Sequence, residues 1–331
     1  MTTERKKPYF MIASALGALL GIALMVGLAI NQGMDNILQA FSLAGWGIAV
    51  ITAFHLLPMI AAALGWHFTS NSVNSGKIGV FIWARLVREA VNGLLPVAQI
   101  GGDFVGARIL TFYGIPARIA VATVLIDFTI EFLTQVVFTT LGVTLLLLGG
   151  HIDFKDRIIL GMVVAIFASV GFIIAQRYGM FRLLEKVLAK IATKFDLPGL
   201  GTFASLNITI MSMYKNWRAI SLSVFWHFGS WLLSAAEVWL TLMFFGVDIS
   251  FADALIIESL GQAIRSCAFL VPGAFGIQEG GYMFLGMLFG ISPEFALSVS
   301  LIKRVRELVL GIPPILIWNA MEGRKWLYSA K

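Results

Sequence analysis

The chain has 331 residues, of which 59% are hydrophobic and only 13% are charged. A soluble globular protein carries about 25% charged residues, so the composition excludes an ordinary soluble domain. The net charge of +6 does not indicate a nucleic-acid partner, because Lys and Arg in membrane proteins collect in cytoplasmic loops.

Apolar runs of about 20 residues or more, long enough to cross a hydrocarbon layer roughly 30 Å thick, follow one another along the chain. Six of them predict full membrane spans, at residues 9–30, 43–66, 116–148, 158–176, 219–246 and 293–320. The sequence therefore predicts an all-α polytopic membrane protein in which residues 1–331 form a single integral membrane domain.

Two further apolar stretches, residues 80–112 and 251–290, are interrupted near their middle by Pro96 and Pro272 and by neighbouring glycines. Such breaks free backbone groups that lipid cannot satisfy, so the broken segments must be shielded by protein or face water. Re-entrant helical hairpins fit this pattern better than two further spans.

The distribution of Lys and Arg fixes the expected orientation. If both hairpins return to their own side and the N-terminus is cytoplasmic, the inside loops collect sixteen basic residues, and the outside loops collect only Lys155 and Arg157. This asymmetry follows the positive-inside rule. We expect a membrane protein with both termini in the cytoplasm.

The long inside loop contains an amphipathic segment at residues 181–195. Its apolar residues recur at helical spacing, and bases repeat every fourth residue, at Arg182, Lys186, Lys190 and Lys194. The pattern predicts a helix that lies on an anionic leaflet. Docking to other proteins of lipid biosynthesis is the alternative.

A shift of 176 residues, the separation between Pro96 and Pro272, superimposes the unusual features of two halves of the chain. At this shift Asp103 falls on Glu279, Asp127 on Lys303 and Glu131 on Glu307. We predict a repeat of residues 43–150 and 219–326, linked by a span and the amphipathic helix. The second and fifth spans run in opposite directions, so the halves are inverted, as in many transporters.

Charged residues inside apolar segments carry the functional hypothesis. A charge at the bilayer centre costs at least about 2.5–3.5 kcal/mol, so such residues face the protein interior or an aqueous cavity. We expect a mixed-charge site where the halves meet, with the stripes Asp127–Glu131 and Lys303–Glu307 approaching each other. The candidate substrate-binding residues are Arg88, Asp103, Asp127, Glu131, Arg265, Glu279, Lys303, Arg304, Arg306 and Glu307.

The alternative for the same residues is a set of buried ion pairs that fix the register of the helices. Buried pairs stabilise poorly, because desolvation offsets much of their attraction. Six bases within membrane segments also exceed what such a structural role needs.

The segment at residues 272–280, Pro-Gly-Ala-Phe-Gly-Ile-Gln-Glu-Gly, is informative beyond its physics. It resembles the Pro-Gly-x-x-Gly-x-x-Glu segment of the flippase-type membrane domain of bacterial lysylphosphatidylglycerol synthases. Pro272, Gly273, Gly276 and Glu279 match that motif, and the resemblance adds Pro272, Gly273 and Gly276 to the candidate substrate-binding residues. The resemblance extends over most of the chain, and within the superfamily the chain resembles the stand-alone hopanoid-associated membrane proteins of the HpnL type.

The resemblance implies an inner-membrane protein that moves a lipid between leaflets, with a role in hopanoid transport. The sequence ends at Lys331, soon after the last predicted span. We therefore expect no aminoacyl-transferase domain and no enzymatic synthesis of a lysyl lipid by this chain.

Two other classes of function stay open. An intramembrane isoprenoid or lipid-modifying enzyme needs clustered acids to hold a metal and a diphosphate, and Asp127 with Glu131 offers one such spacing. An accessory subunit of a lipid-biosynthesis complex would use the basic loop. We expect a membrane lipid as the substrate, no cofactor and no metal, and we consider a homo-oligomer as a further form of the protein.

Overall fold

The computed structural model describes residues 23, 25–28, 30, 31, 33–70, 77–95, 101–149, 203–268 and 271–329. All regular elements within these ranges are helical, which confirms the all-α prediction. Numbered from the first helix with defined bounds, they are α1 Met34–Ala44, α2 Gly47–Phe54, α3 Leu56–Ser70, α4 Ile78–Leu94, α5 Gly101–Phe112, α6 Ala117–Leu148, α7 Phe203–Tyr214, α8 Trp217–Phe244, α9 Phe251–Cys267, α10 Ile277–Leu288 and α11 Pro293–Ser329.

Three helical stretches in the described ranges are long and apolar enough to cross a membrane: Gly47–Ser70, Ala117–Leu148 and Trp217–Phe244. They correspond to three of the predicted spans. Helix α11 has 37 residues, but the charges between residues 303 and 307 make it less apolar. Nearly all of the first predicted span, the span at 158–176 and the helix at 181–195 lie outside the described residues, so the number of six spans stays a prediction.

Helix α1 was not among the predicted elements. Its 11 residues measure about 16 Å, too short to span a bilayer, and Asp35 and Gln39 interrupt its hydrophobic run. The helical spacing of the buried residues Ile37, Ala40 and Ala44 is the signal that identifies it.

Each of the two broken apolar stretches is a pair of helices. The arms have 17 and 12 residues in α4 and α5, and again 17 and 12 in α9 and α10. At 1.5 Å per residue the arms measure about 25 and 18 Å, less than the roughly 30 Å of a hydrocarbon layer. Re-entry of these helix pairs from opposite faces stays a prediction.

The second arm of each pair folds back on the first. The backbone N–H of Gly102 at the start of α5 donates to the Asn92 side chain near the end of α4, at 2.7 Å. A Cβ on Gly281 of α10 would lie 3.1 Å from the Ile264 side chain of α9. The broken stretches are therefore helical hairpins in the geometric sense.

The backbone between α9 and α10 shows why the chain breaks there. A short 3₁₀ turn at Pro272–Ala274 precedes α10, and Gly273, Ala274 and Gly276 all have positive φ, at 62°, 50° and 75°. Only Gly adopts this left-handed region freely. The backbone conformation of this turn therefore explains why the motif has glycine at positions 273 and 276.

At the predicted shift of 176 residues, several helices of the two predicted halves fall on one another. Helix α5 falls on α10, and the first residue of α6 falls on the first residue of α11. Gln135 of α6 donates to the Ser266 hydroxyl of α9 at 2.6 Å. The equivalent pair at this shift, Gly311 of α11 and Ala90 of α4, is also in contact. Each long helix therefore packs against the first arm of the other half's hairpin.

Helices α3 and α8 pack side by side and run antiparallel. His55, just before α3, contacts Glu237 near the end of α8, whereas Gly65 near the end of α3 lies against His227 near the start of α8. An inverted repeat requires this relation between equivalent spans. The repeat boundaries themselves stay a prediction.

Each half also has a hydrophobic core. One core contains Trp66, Phe81 and Ile126 from α3, α4 and α6, and the other contains Leu242, Ile256 and Ile302 from α8, α9 and α11. The apolar packing thus places each hairpin against the long helix of its own half.

We expect Gly273→Ala to lower the free energy of unfolding by about 1–2 kcal/mol, because a side chain disfavours the left-handed conformation. The new Cβ would also lie 3.0 Å from the Phe275 ring. Gly280→Ala is the matched control, since Gly280 lies in α10 with ordinary space around it and Ala favours a helix. Thermal unfolding in detergent micelles measures both variants, and equal melting temperatures would contradict the assigned role of Gly273.

Candidate functional site

The first half holds a network of two bases and four acids. Within α4, Arg85 pairs with Glu89 at 2.6 Å. Arg85 of α4 donates to Glu131 of α6 at 2.5 Å, and Arg88 donates to Glu131 at 3.0 Å. Arg88 also pairs with Asp127 of α6 and with Asp103 of α5 at 2.7 Å. Because Asp127 and Glu131 are four residues apart on one helix face, both reach the same pair of guanidinium groups.

The second half places most of its bases on the long helix. Arg304 of α11 pairs with Glu279 of α10 at 2.9 Å and with Glu307 at 3.0 Å. Glu307 in turn accepts from Arg265 of α9 at 2.8 Å. The other carboxylate oxygen of Glu279 accepts from the backbone N–H of Gly276 at 2.6 Å, so the motif glutamate closes the start of α10.

A second group of charges lies deeper in this half. Lys303 donates to Glu258 at 2.5 Å and to the Tyr282 hydroxyl at 2.6 Å. Tyr282 donates to the same carboxylate oxygen of Glu258 at 2.5 Å. All three side chains are buried. We call Glu258, Tyr282 and Lys303 the buried triad.

Histidine–carboxylate pairs link the two halves. His227 of α8 contacts Asp127 of α6 at 2.8 Å, and His55 contacts Glu237 of α8 at 2.7 Å. Glu237 also pairs with Arg306 of α11. The antiparallel packing of α3 and α8 brings each histidine to an acid of the other half.

The tips of the two hairpins meet. A Cβ on Gly273, in the turn before α10, would lie 3.2 Å from the carbonyl oxygen of Gly93 near the end of α4. The ring of Phe275 in the same turn lies 4.5 Å from the guanidinium of Arg304. The broken segments of both halves therefore adjoin the charged network.

The most exposed Asp, Glu, Lys and Arg side chains of these networks are Glu89 at 40%, Arg265 at 21%, Glu131 at 20% and Glu307 at 13%. They are two equivalent pairs at the shift of 176 residues, Glu89 with Arg265 and Glu131 with Glu307. Equivalent residues of two repeats come close to each other only near the axis that relates the repeats, and Glu89 interacts electrostatically with Arg265. We call these four residues the axial cluster.

Contacts join the members of the axial cluster. Arg85 bridges Glu89 at 2.6 Å and Glu131 at 2.5 Å, and Arg265 holds Glu307 at 2.8 Å. Glu89 and Arg265 also interact electrostatically. Three carboxylates and one guanidinium are thus accessible, so the exposed part of the site accepts hydrogen bonds more readily than it donates them.

The sequence places this site in a family. The model of the family described as lysylphosphatidylglycerol synthase TM region matches residues 12–314 of the chain.

The chain belongs to this family.

It is therefore a membrane protein, and the resemblance of the segment at 272–280 is confirmed at the level of the family. Among curated proteins of similar sequence, the "UPF0104 membrane protein" of Methanothermobacter thermautotrophicus is 20% identical over 297 residues, 84% of each chain. A second UPF0104 membrane protein, from Pyrococcus horikoshii, is 25% identical over 276 residues, 76% of this chain and 78% of its own. No solved structure matches the chain at a significant level.

The structure of this family member changes the expected pairing of the stripes. Asp127 and Glu131 pair with Arg85 and Arg88 of their own half, not with Lys303. The reason is that the hairpin helices of each half place opposite charges nearer to the long helix of that half than the other half does. The bases Arg88, Lys303, Arg304 and Arg306 all have carboxylate partners.

The remaining predicted site residues divide by location. Gly273 and Gly276 form the hairpin turn, and the backbone of Pro272 begins it. The surface bases Arg182, Lys186, Lys190 and Lys194 lie outside the described residues.

Sequence reasoning left several site residues out of the candidate set: His55, Arg85, Glu89, His227, Glu237, Glu258 and Tyr282. Glu89 had a usable signal, because the 176-residue shift places it on Arg265. His55 and His227 had none in the sequence, since their partners lie far away along the chain.

We expect Arg88→Gln to lower the free energy of unfolding by about 3–5 kcal/mol, because the buried Asp103 loses the base that it pairs with and Asp127 loses one of its partners. Arg108→Gln is the matched control. Arg108 pairs with Glu322 at 3.1 Å, and their side chains are 25% and 38% exposed, so we expect a loss of less than about 1 kcal/mol. Chemical denaturation in micelles measures both losses, and similar values would contradict the buried network.

Proposed function

We propose that this chain is a lipid translocase of the bacterial inner membrane, with both termini in the cytoplasm. The observation that carries the proposal is the axial cluster: partly exposed charges of both halves, at the meeting point of the halves of an otherwise apolar protein. Intramembrane charges commonly mark a substrate or ion route. In a family of lipid-synthase membrane regions, we expect such a site to bind the headgroup of a transported lipid.

The substrate we propose is a lipid with a polar headgroup that donates hydrogen bonds. Glu89, Glu131 and Glu307 offer carboxylate oxygens to hydroxyl or amine groups, and Arg265 offers a guanidinium to a headgroup oxygen. The headgroup crosses the membrane through the protein while the apolar body stays in lipid. A hopanoid is the specific lipid that the resemblance to the stand-alone members favours.

The pairing pattern supports movement of one half against the other. In the described residues, the pairs between buried Lys or Arg and a carboxylate join residues of the same half. Glu237 and Arg306 follow this rule as well. Rocking of the halves would therefore leave these pairs intact. In the inverted arrangement, the opposed hairpins would open the axial cluster to one face at a time.

The ion pairs of Asp127 and Glu131 favour transport over the enzymatic alternative. Both carboxylates are engaged by Arg85 and Arg88. A metal held by this pair would have to compete with two guanidinium groups. The accessory-subunit alternative depends on the loop at 181–195, which lies outside the described residues.

We expect Glu89→Gln and Glu131→Gln each to slow transbilayer movement of a labelled lipid about 10- to 100-fold. The reason is the loss of a charge-assisted hydrogen bond to the headgroup, worth about 1.5–3 kcal/mol. The assay uses purified protein in liposomes and labelled lipids with hydroxyl or amine headgroups. Bleaching by an impermeant reductant reports how much label remains in the outer leaflet.

Asp248→Asn is the control, because Asp248 is an exposed acid in the turn between α8 and α9 and belongs to neither network. We expect this variant to move lipid as the wild type does. Unchanged movement in both glutamate variants, with folded protein by size-exclusion chromatography, would contradict the axial cluster as the headgroup site. Absence of movement in the wild type for every headgroup tested would contradict the proposed function.

A further inference from the structure

The buried triad is a group of titratable side chains that the headgroup site does not use. The Glu258 side chain is fully buried, and the Lys303 side chain is 4% exposed. The three polar groups lie within 2.5–2.6 Å of one another. The phenol of Tyr282 both donates to Glu258 and accepts from Lys303, so hydrogen-bonded contacts join the amine to the carboxylate directly and through the phenol.

Lys303 differs chemically from the other buried bases. Of the bases that the described structure places in the two networks, Arg85, Arg88, Arg265, Arg304 and Arg306 are arginines. A guanidinium keeps its proton under all physiological conditions, whereas a buried lysine amine can lose it. Among the Lys and Arg side chains of these networks, Lys303 is therefore the one that can exist in a neutral form.

The two halves also differ at this position. Lys303 is the equivalent of Asp127 at the 176-residue shift. Asp127 pairs with Arg88, a base of fixed charge. Lys303 pairs with Glu258, a carboxylate whose proton can be gained or lost. Lys303 and Glu258 thus form a lysine–carboxylate pair at the level where Asp127 contacts Arg88 and His227.

A side chain connects the triad to the axial cluster. The Gln262 amide donates to the outer carboxylate oxygen of Glu258 at 2.8 Å. Gln262 is only half-buried and lies three residues before Arg265 on α9. Gln262 therefore ties the triad to the part of α9 that carries Arg265 of the axial cluster.

We propose that Glu258, Tyr282 and Lys303 form a proton-binding site that couples lipid movement to a transmembrane proton gradient. This proposal rests on the translocase function proposed above. It adds the energy source of that function.

The coupling step follows from the charge balance. One proton from one face of the membrane adds to the Glu258 carboxylate and removes the counter-charge of Lys303. A buried ammonium without a counter-charge is strongly unfavourable, so the halves move until the site opens to the other face. Glu258 then releases the proton there, and its pair with Lys303 re-forms.

Other charged groups surround the triad and set the field in which it titrates. Glu237 and Arg306 interact electrostatically with Lys303, and Arg265 and Arg306 interact with Tyr282. His55 lies within electrostatic reach of Lys303 as well. Glu237 contacts both Arg306 and His55, so the charges of these groups offset one another. The triad is then the part of this region that exchanges a proton.

The test uses the double variant Glu258→Gln/Lys303→Met. It removes both titratable charges together and leaves no buried charge unpaired, which is the replacement that buried pairs tolerate best. The matched control is Asp248→Asn/Lys215→Met, which removes one acid and one base at exposed positions. Each protein is reconstituted in liposomes, and lipid distribution between leaflets is measured with and without an imposed pH difference.

For the wild type and the control we expect the steady-state leaflet ratio of the labelled lipid to shift about tenfold per pH unit for each coupled proton. For the double variant we expect no shift, whatever its rate without a gradient. A pH dye inside the liposomes should also report proton entry driven by a lipid gradient in the wild type. This second measurement needs no variant.

The outcomes separate the two proposals. If the wild type moves lipid independently of the pH difference, or in response to a sodium gradient at equal pH, proton coupling is wrong. The proposed translocase function would still stand in that case. A double variant that keeps the wild-type shift would overturn the assignment to the triad. A wild type that moves no lipid under any condition would overturn the translocase itself.

Discussion

The cost of placing a charge in a hydrocarbon layer governs the rest of this structure. The networks satisfy that cost by pairing: Arg88 meets Asp103 and Asp127, and Arg304 meets Glu279 and Glu307. Each of these pairs lies within one half. A protein built in this way can shift one half against the other without exposing an unpaired charge to lipid.

The halves share a backbone plan but distribute their charges differently. In the first half the bases lie on the hairpin arm α4 and two acids lie on the long helix α6. In the second half Glu258 lies on the hairpin arm α9, and Lys303 with Arg304 lies on the long helix α11. The backbone is therefore close to symmetric while the chemistry is not. In our account, the symmetric part provides the alternating openings, and the asymmetric part provides the proton-binding site.

Hydropathy, prolines and glycines were enough to predict the helical class, three spans and the position of both breaks. The 176-residue shift even predicts which helix starts correspond. The partner of each charge was beyond the sequence, because pairing depends on which helix faces fold together. His55 and His227 show this best: they contact acids 182 and 100 residues away, and nothing in their local sequence indicates it. Helix α1 was not predicted because it is short and contains polar residues, so its hydropathy does not resemble that of a membrane span.

The central claim is that the axial cluster receives a lipid headgroup. The most direct measurement is an experimental structure of the protein in a lipid bilayer disc with the transported lipid bound. Our account predicts a headgroup within hydrogen-bonding distance of the Glu89, Glu131 or Glu307 carboxylates, beside the turn at Gly273. A lipid headgroup bound at the outer surface of the protein, with the axial cluster closed and its four side chains paired only with other residues of the protein, would contradict it.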